Sequence, residues 1–345
     1  RVKVHTDMKQ IAKMFCLAGL LAGAALAGAE QFQIGEVFYD IEGMTKQYAV
    51  ELNIEIATNR IFHTQEEFDA YIEDLRQRFT NERVFESSEI EVSKAGEKDG
   101  ITQMNLLVHT KDSKHFLAVP YPKYDSNDGI TFKLKMKDVN FLGTMETLNF
   151  DINYEHEKQD DGSYDNIFGI NFDYDYPFKM WKLDASWNNA LSLDFTVGNS
   201  KPEFSASTGF TFTMPFDHYK LVLDLSQKAT RDFDYEKYDD DLYFTESAKL
   251  SLPVEIAEID NWGDVTWTPY VSYTYNWDKD GINKKNEDLR GPTLSAGHSI
   301  STSRIDWIGN FRNGLSLEFG NSISYNYYTE KYSPMVWAEW TGYKA

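Results

Sequence analysis

The chain has 345 residues, a formal net charge of -21 and one cysteine, Cys16. The negative charge argues against a nucleic-acid partner, because a phosphate backbone attracts basic surfaces. One cysteine rules out an intrachain disulfide and a cysteine-based metal cluster. Aromatic residues make up 15% of the chain although the mean hydropathy is -0.52. This combination favours alternating strands over buried helices.

Residues 1–29 are predicted to be a leader and a secretory signal peptide. From Met8 the chain reads MKQIAKMFCLAGLLAGAALAGAEQ, with two lysines, an apolar run that contains Cys16, and small residues at Ala27 and Ala29. These features are typical of a signal peptide that is cleaved near Glu30. A membrane anchor is the alternative, but the run is short, rich in Gly and Ala, and followed by no stop-transfer charges.

Residues 30–119 are predicted to form a small α+β domain. Segments 33–43 and 48–56 have strand character, and so do 87–93 and 101–110, which the turn 94–100 separates. Between the two pairs, Thr64 and Glu67 form a capping box. The helix that this box opens carries an apolar stripe of Phe68, Tyr71, Ile72, Leu75 and Phe79. We expect the helix to lie on a sheet of three or four strands.

From about residue 128 onward, apolar and polar residues alternate in one segment after another. Segment 129–137 is the clearest case, because the odd and even positions of GITFKLKMK differ completely in polarity: Ile130, Phe132, Leu134 and Met136 against Thr131, Lys133, Lys135 and Lys137. The alternation recurs in 147–155, 168–176, 181–187, 265–277 and 315–327, with Asn321 breaking the last row. Several runs reach the about nine to eleven residues that a tilted strand needs to cross a bilayer.

These lengths predict a transmembrane antiparallel β-barrel over residues 120–345, so that the whole chain is mainly β. Long charged spacers such as 226–241 and 278–292 alternate with short connections such as 175–180, as they do in outer-membrane barrels. Five tryptophans near strand ends would form aromatic girdles: Trp181, Trp187, Trp262, Trp267 and Trp277. The lysines of 129–137 would face a wet interior and pair there with aspartates such as Asp151 and Asp173. A secreted β-sandwich is the alternative, although its core would favour aliphatic residues.

Catalysis finds little support in the sequence. The histidines are scattered without the spacing of metal ligands. The acidic runs QDDG, YDDD and DKDG do not continue into the order of a calcium loop. We therefore expect no enzymatic activity, no cofactor and no metal.

The segment 120–155 resembles the entry into the barrel of BamA and TamA type outer-membrane proteins. The resemblance consists of a Pro-Tyr entry at Pro122 and Tyr124, a glycine at Gly129, and a turn into the second strand that reads Asp138, Asn140, Phe141, Leu142 and Gly143. The preceding domain resembles a POTRA domain. The likeness covers residues 32–155 in some detail and the remainder only by strand pattern.

The resemblance implies an outer-membrane assembly, insertion or translocation factor. Its POTRA domain would lie in the periplasm and receive unfolded outer-membrane clients, with lipoprotein accessory factors as further partners and outer-membrane lipid around the barrel. Residues 129–137 would be the first edge strand of the barrel, on which a client strand grows through backbone groups.

Two departures from the family remain. At about twenty residues per strand and connection, residues 128–345 give about eleven or twelve strands, fewer than the family has. The inward loop motif is also absent, since LRGP at 289–292 has Pro292 in place of an aromatic residue. We therefore expect a C-terminally truncated barrel or a smaller divergent one. A passive pore with a periplasmic adaptor and a secreted soluble β protein stay open as alternative functions.

Overall fold

The computed structural model describes residues 30–125, 129–159, 162–181, 183–216, 219–232, 242–259, 262–278 and 291–344. The predicted leader and signal peptide lie outside these residues, and so do parts of the charged spacers. Within the described ranges the chain forms a small mixed domain and one large antiparallel sheet. No helix in these ranges combines the length and the apolar composition needed to cross a membrane.

The N-terminal domain combines four strands with two helices. The strands are β1 (Gln31–Glu42), β2 (Ile61–Phe62), β3 (Phe85–Lys98) and β4 (Ile101–Asp112), and the helices are α1 (Gln47–Asn53) and α2 (Gln65–Asn81). The strand order is β2-β1-β4-β3. Strand β1 runs parallel to β4, whereas β2 and β3 pair antiparallel to their neighbours. The predicted α+β sheet with a covering helix is confirmed.

Helix α2 begins and packs as its sequence predicts. The Thr64 side chain accepts a hydrogen bond from the Glu67 amide at 3.1 Å, so it caps the helix. The Glu67 carboxylate accepts from the His63 amide at 2.9 Å, one residue before the cap. The predicted stripe then faces the core, where four of its side chains are buried: Phe68, Ile72, Leu75 and Phe79. Burial of each such side chain contributes about 1.5–3 kcal/mol.

The prediction of a strand at 48–56 is wrong, because residues 47–53 form helix α1. Ala49 and Val50 are adjacent in sequence and both fully buried, and Ile54 is buried one turn later. Successive strand residues point to opposite faces, whereas a helix brings positions of this spacing to one side. The alternation of 48–56 is therefore incidental, and Ala, Leu and Glu favour a helix there.

The large sheet consists of thirteen strands. They are β5 (Phe116–Asp125), β6 (Gly129–Asp138), β7 (Leu148–Lys158), β8 (Tyr164–Met180), β9 (Leu183–Thr196), β10 (Glu203–Phe216), β11 (Tyr219–Arg231), β12 (Leu242–Ser251), β13 (Val254–Ile259), β14 (Gly263–Trp277), β15 (Gly291–Ile308), β16 (Phe311–Asn326) and β17 (Lys331–Tyr343). Strands that follow one another in the chain pair antiparallel from β5 to β12 and from β14 to β17, and β12 and β13 both pair antiparallel with β14.

Strands β12 and β13 form one continuous row. Ser251 of β12 pairs with Tyr270, and Val254 of β13 pairs with Trp267, so both follow one register along β14. The Leu252 amide between them donates to the Pro269 carbonyl at 3.0 Å. Among the described residues the sheet therefore has twelve rows, and the eleven rows after residue 128 lie within the expected range of about eleven or twelve strands.

The two faces of the large sheet differ in polarity, as the alternation predicts. The register aligns the apolar positions of neighbouring strands on one face, which we call the apolar face; examples across the sheet are Phe132, Ile152, Ile170, Phe210, Leu250, Tyr273 and Phe319. Many of these side chains are exposed, among them Phe132 at 47% and Phe319 at 52%. The opposite, polar face carries mainly Lys, Asp, Asn, Ser and Thr. Asn321 interrupts the apolar face, where its side chain contacts His298 at 3.2 Å.

The boundary between the two units lies earlier than the predicted division between residues 119 and 120. Strand β5 begins at Phe116 and pairs along its whole length with β6, so residues 116–119 belong to the large sheet. Residues 113–115 join the units. Because alternation in FLAVPYPKYD is interrupted by two prolines, the pattern of the large sheet becomes visible only after this strand.

Candidate functional site

Two strands at the ends of the large sheet have an unpaired side. Strand β5 pairs only with β6, and β17 pairs only with β16 among the described residues. The prediction that Gly129–Lys137 form the edge strand is therefore wrong by one strand, since β6 pairs with β5 on one side and β7 on the other. The edge strand is instead β5, Phe116–Asp125. Edge strands present unpaired N–H and C=O groups to any strand that approaches.

Strand β5 exposes apolar side chains on both faces. Phe116 and Tyr124, on the apolar face, are 61% and 75% exposed. Leu117 and Tyr121 belong to the opposite face and are 59% and 54% exposed. In a strand with neighbours on both sides, the second neighbouring strand would cover much of the surface of such side chains. Among the described residues, no second strand therefore pairs with β5, and these apolar side chains stay exposed.

Strand β17 has the same character at the other end of the sheet. Its apolar side chains Val336 and Trp340 are 69% and 81% exposed. The Trp337 ring lies on the opposite face against Gly320, where a Cβ would come within 2.2 Å of the ring. This contact holds β17 to β16 and leaves its outer side open.

Strand β6 begins at a position that requires glycine. Gly129 has φ +103°, and a Cβ there would lie 2.0 Å from the His156 carbonyl oxygen. From this point Lys133, Lys135 and Lys137 follow on the polar face, opposite Asn153, Asp151 and Asn149 of β7. The start of the strand and the face of its lysines agree with the sequence pattern.

The predicted ion pairs of these lysines are not found. In the described part of the chain no carboxylate oxygen lies within 4.0 Å of the ammonium groups of Lys133, Lys135 and Lys137, and Asp173 instead accepts from the Asn149 side chain at 3.3 Å. Lys133 and Lys135 line a recess of about 340 Å³ on the polar face of β5–β7, together with Tyr121, Lys123, Thr131, Glu155 and Glu157. The lining of this recess therefore carries both positive and negative side chains.

The turn at 138–143 joins β6 to β7 and anchors the N-terminal domain. Residues Phe141–Gly143 form a short 3-10 helix. Asp138 shapes its entry, because the Asp138 carboxylate accepts from the Asn140 amide at 2.9 Å and contacts His115 Nδ1 at 2.6 Å. Phe141 packs edge-on against the Tyr174 ring at 5.0 Å. The predicted turn residues thus lie together at one end of the large sheet.

Asn140 is the centre of a buried network between the two units. Its side chain is fully buried and donates to Thr45 Oγ1 at 2.7 Å and to Asp112 Oδ2 at 3.3 Å. Its carbonyl oxygen accepts from the Met145 amide at 2.9 Å. Asp112 in turn accepts from the amides of Met44 and Thr45 at 2.7 and 2.9 Å. Each polar group of the network has a partner, so burial costs little here.

Gly143 allows the backbones of the two units to meet. Gly143 has φ +73°, and a Cβ at this residue would lie 1.9 Å from the Met44 carbonyl oxygen. The Gly143 carbonyl accepts from the Lys46 amide at 2.8 Å. A residue with a side chain would push the loop before α1 away from the β6–β7 turn.

A second contact lies across the sheet, between α2 and the C-terminal end of β15. Arg304 Nη2 lies 2.9 Å from the Asp74 carboxylate, and its Nε lies 3.1 Å from Asp306. The Asn81 side chain donates to Asp306 at 2.9 Å and accepts from the Trp307 amide at 2.9 Å. Helix α2 is thereby fixed to the end of β15 by an arginine that bridges two carboxylates.

Further contacts fix the domain between these two points. Tyr48 of α1 donates to the Pro177 carbonyl near the end of β8 at 3.5 Å. Burial, together with the nearby Tyr176, raises the pKa of Tyr48 to about 12, so its hydroxyl stays a neutral donor. Lys220 at the start of β11 pairs with Glu55 at 2.9 Å, where both are largely exposed. The domain therefore contacts four connections or strand ends, all at the end of the sheet with the short turns.

The docking residues are the functional positions that the sequence pattern missed. Thr45, Asp112 and Asn140 lie up to 95 residues apart, and no local spacing joins them. Only Asn140 stands out beforehand, as part of the family-like turn. Among the residues that the structure describes, no group of three or more His, Cys, Asp or Glu is placed to hold a metal ion.

Comparisons with known proteins give weak structural likeness alone. No protein-family model and no curated protein matches the sequence. Among solved structures, the crystal structure of BamA from Haemophilus ducreyi lacking POTRA domains 1–3 is 11% identical with a TM-score of 0.39, over 86% of this chain and 56% of that one. CdiB from Acinetobacter baumannii is 11% identical with a TM-score of 0.40, over 87% of this chain and 53% of that one.

CdiB from Escherichia coli is 9% identical with a TM-score of 0.28, over 92% of this chain and 91% of that one. The chain thus spans about half the length of the first two structures. Likenesses this weak carry no argument about function, which must come from the geometry of the chain itself.

Proposed function

We propose that the chain is an outer-membrane protein that assembles, inserts or translocates other proteins. The observation that carries the proposal is the free side of β5, an edge strand in a sheet whose apolar face is exposed over its whole width. An exposed apolar surface of this size marks contact with lipid or with a partner. An unpaired strand edge surrounded by lipid is costly, so its retention suggests a strand-accepting role.

The large sheet would be the transmembrane part. Strands of 13 to 18 residues such as β9, β11 and β15 exceed the length that a bilayer requires. The free side of β5 would be one side of the seam at which the barrel opens sideways.

The N-terminal domain would be a POTRA-type module in the periplasm. It contacts the end of the sheet with the short turns, which in outer-membrane barrels faces the periplasm. Its outer strand β3 is exposed along most of its length and could receive an extended client segment by adding a strand. From there the client would reach the β5 edge on the same side of the membrane.

Depletion of the protein in its own cell tests the proposal. Levels of other outer-membrane barrels should fall, measured by quantitative proteomics of outer membranes, while periplasmic proteins stay constant. Unchanged barrel levels would contradict an assembly role and favour a passive pore. The membrane assignment is tested separately, since purified barrel protein should migrate faster unheated than boiled in detergent gels, whereas a soluble β protein should stay monomeric without detergent.

A further inference from the structure

The direction of each backbone group on β5 follows from one hydrogen bond. The Val139 amide donates to the His115 carbonyl at 2.9 Å, immediately before Phe116 pairs with Asp138 in the same register. In an antiparallel pair, hydrogen-bonded positions alternate with positions that face away. The odd-numbered residues of β5 therefore bond to β6. The even-numbered residues face the free side: Phe116, Ala118, Pro120, Pro122 and Tyr124.

Two of these five outward positions are prolines, which lack an N–H group. The free side of β5 therefore presents five carbonyl groups but only three N–H groups, at Phe116, Ala118 and Tyr124. The missing donors are consecutive outward positions in the middle of the strand. The pairing with β6 loses nothing, because neither proline faces β6. Proline on an edge strand is a known device against strand addition.

We propose that Pro120 and Pro122 make strand addition at β5 reversible. An incoming strand can donate its own N–H groups to all five carbonyls, but two of its carbonyls find no donor in the centre of the edge. Unsatisfied carbonyls are costly where water is scarce, so the ladder stays incomplete and the strand leaves. This inference rests on the proposed function, with a strand of an unfolded outer-membrane barrel as the occupant.

The side chains of β5 indicate what kind of strand fits. Phe116 and Tyr124 continue the apolar face, and Leu117, Val119 and Tyr121 lie on the polar face near Lys133 and Lys135. A strand in which apolar and polar residues alternate, as they do in barrel strands, would cover the β5 side chains on both faces. The strand β17 of the same chain is the competing occupant, and the experiment distinguishes it.

The test measures how long a client stays on β5. Full-length protein in lipid vesicles carries a photo-crosslinking residue in place of Tyr124, and a small outer-membrane barrel diluted from urea is the probe. The variant P120A/P122A restores both donors and should hold the probe roughly fivefold longer or more per restored bond. The variant A118P removes a further outward donor and should shorten the lifetime. P202A, outside the strands, should match the wild type.

Folding of each variant is checked by heat-modifiable migration. A118P should fold because its lost N–H faces away from β6, whereas L117P should not, since Leu117 bonds to β6. Equal lifetimes for wild type, P120A/P122A and A118P, with the probe still cross-linked, would overturn the inference and leave the proposed function intact. Cross-linking of position 124 to β17 alone would overturn both.

Discussion

Asn140 in the β6–β7 turn donates its side-chain N–H to Thr45 Oγ1 in the N-terminal domain at 2.7 Å, and both residues are buried. This contact joins the N-terminal domain to the large sheet at the β6–β7 turn. The turn therefore determines where the domain lies relative to β5, because β6 runs directly from this turn to Gly129 and pairs with β5 along its length.

We predict that Asn140→Ala loosens the domain from the sheet. The substitution leaves Thr45, Asp112 and the Met145 amide short of partners in a buried place, at a cost of about 2–3 kcal/mol. Limited proteolysis should then cut within 113–115 several times faster than in the wild type. Asn199→Ala, in an exposed turn, serves as the control and should change nothing. Equal cleavage in both variants would show that the network does not hold the domain.

Arg304 should make the second contact sensitive to salt. Its ion pairs with Asp74 and Asp306 involve partly exposed side chains, so Arg304→Ala should weaken docking by about 1 kcal/mol or less. A disulfide between Gln77→Cys and Trp307→Cys reports the contact. Its formation should slow with rising salt in the wild-type background and be slow at all salt concentrations in the Arg304→Ala background.

The matched control for this prediction is Lys179→Ala. Lys179 pairs with Asp184 at 3.6 Å, but both residues belong to neighbouring strands of the large sheet. Its loss should leave the disulfide rate and the salt dependence as they are in the wild type. A salt response that persists without Arg304 would assign the effect to other charges, such as Glu55 and Lys220.

Acid should strengthen docking through Glu82 and Glu146. Burial raises the pKa of Glu82, at the end of α2. Burial, then Asp175 and Glu82 itself, raises the pKa of Glu146 in the β6–β7 turn. A carboxyl whose pKa is higher in the folded state than in the unfolded state favours folding below its ordinary pKa, and this gain is lost as the pH rises through the raised pKa.

We therefore expect the docked state to be more stable near pH 5 than at pH 7, measured by protection of 113–115 from proteolysis. The double variant E82Q/E146Q should be protected at pH 7 as well as the wild type is at the lower pH, and its protection should vary little with pH. Glu203→Gln, a carboxyl at the opposite end of the sheet, is the control. A pH response that survives in the double variant would contradict this assignment.

The repeating patterns of the sequence predict the helices and strands of this fold, but they do not show which strand lies at the edge of the sheet. The stripe from Phe68 to Phe79 predicts α2, and alternation predicts the strands after Gly129, because one buried or lipid-facing side leaves a period in the sequence. This reasoning fails at residues 47–53, because apolar and polar residues can alternate by chance in a short helix. The identity of the strand that pairs with a given strand leaves no such periodicity in the sequence.

The edge at β5 could nevertheless have been found from Pro120 and Pro122. Proline inside an alternating run favours an edge strand, but a proline pair next to Tyr121 also has the composition of a linker, and the resemblance to a Pro-Tyr entry favours that interpretation. The docking network could not have been found. Thr45, Asp112 and Asn140 are common polar residues whose meeting depends on the complete tertiary structure.

The orientation of the large sheet in a bilayer is tested by two adjacent residues of β8. Ile170 lies on the apolar face between Ile152 and Leu193, and Asn171 lies on the polar face between Asp151 and Ser192. Ile170→Lys should cost about 2–4 kcal/mol of folding free energy in lipid vesicles, because the ammonium group would meet hydrocarbon. Asn171→Lys should cost far less, because water and Asp151 are nearby. Urea titration of both variants in the same vesicles measures the difference. If Ile170→Lys were tolerated as well as Asn171→Lys, the apolar face would have to contact water or another protein instead of lipid. Strand β5 would then be an edge strand in aqueous solution. Water readily hydrates an unpaired backbone there, so β5 would need no partner strand.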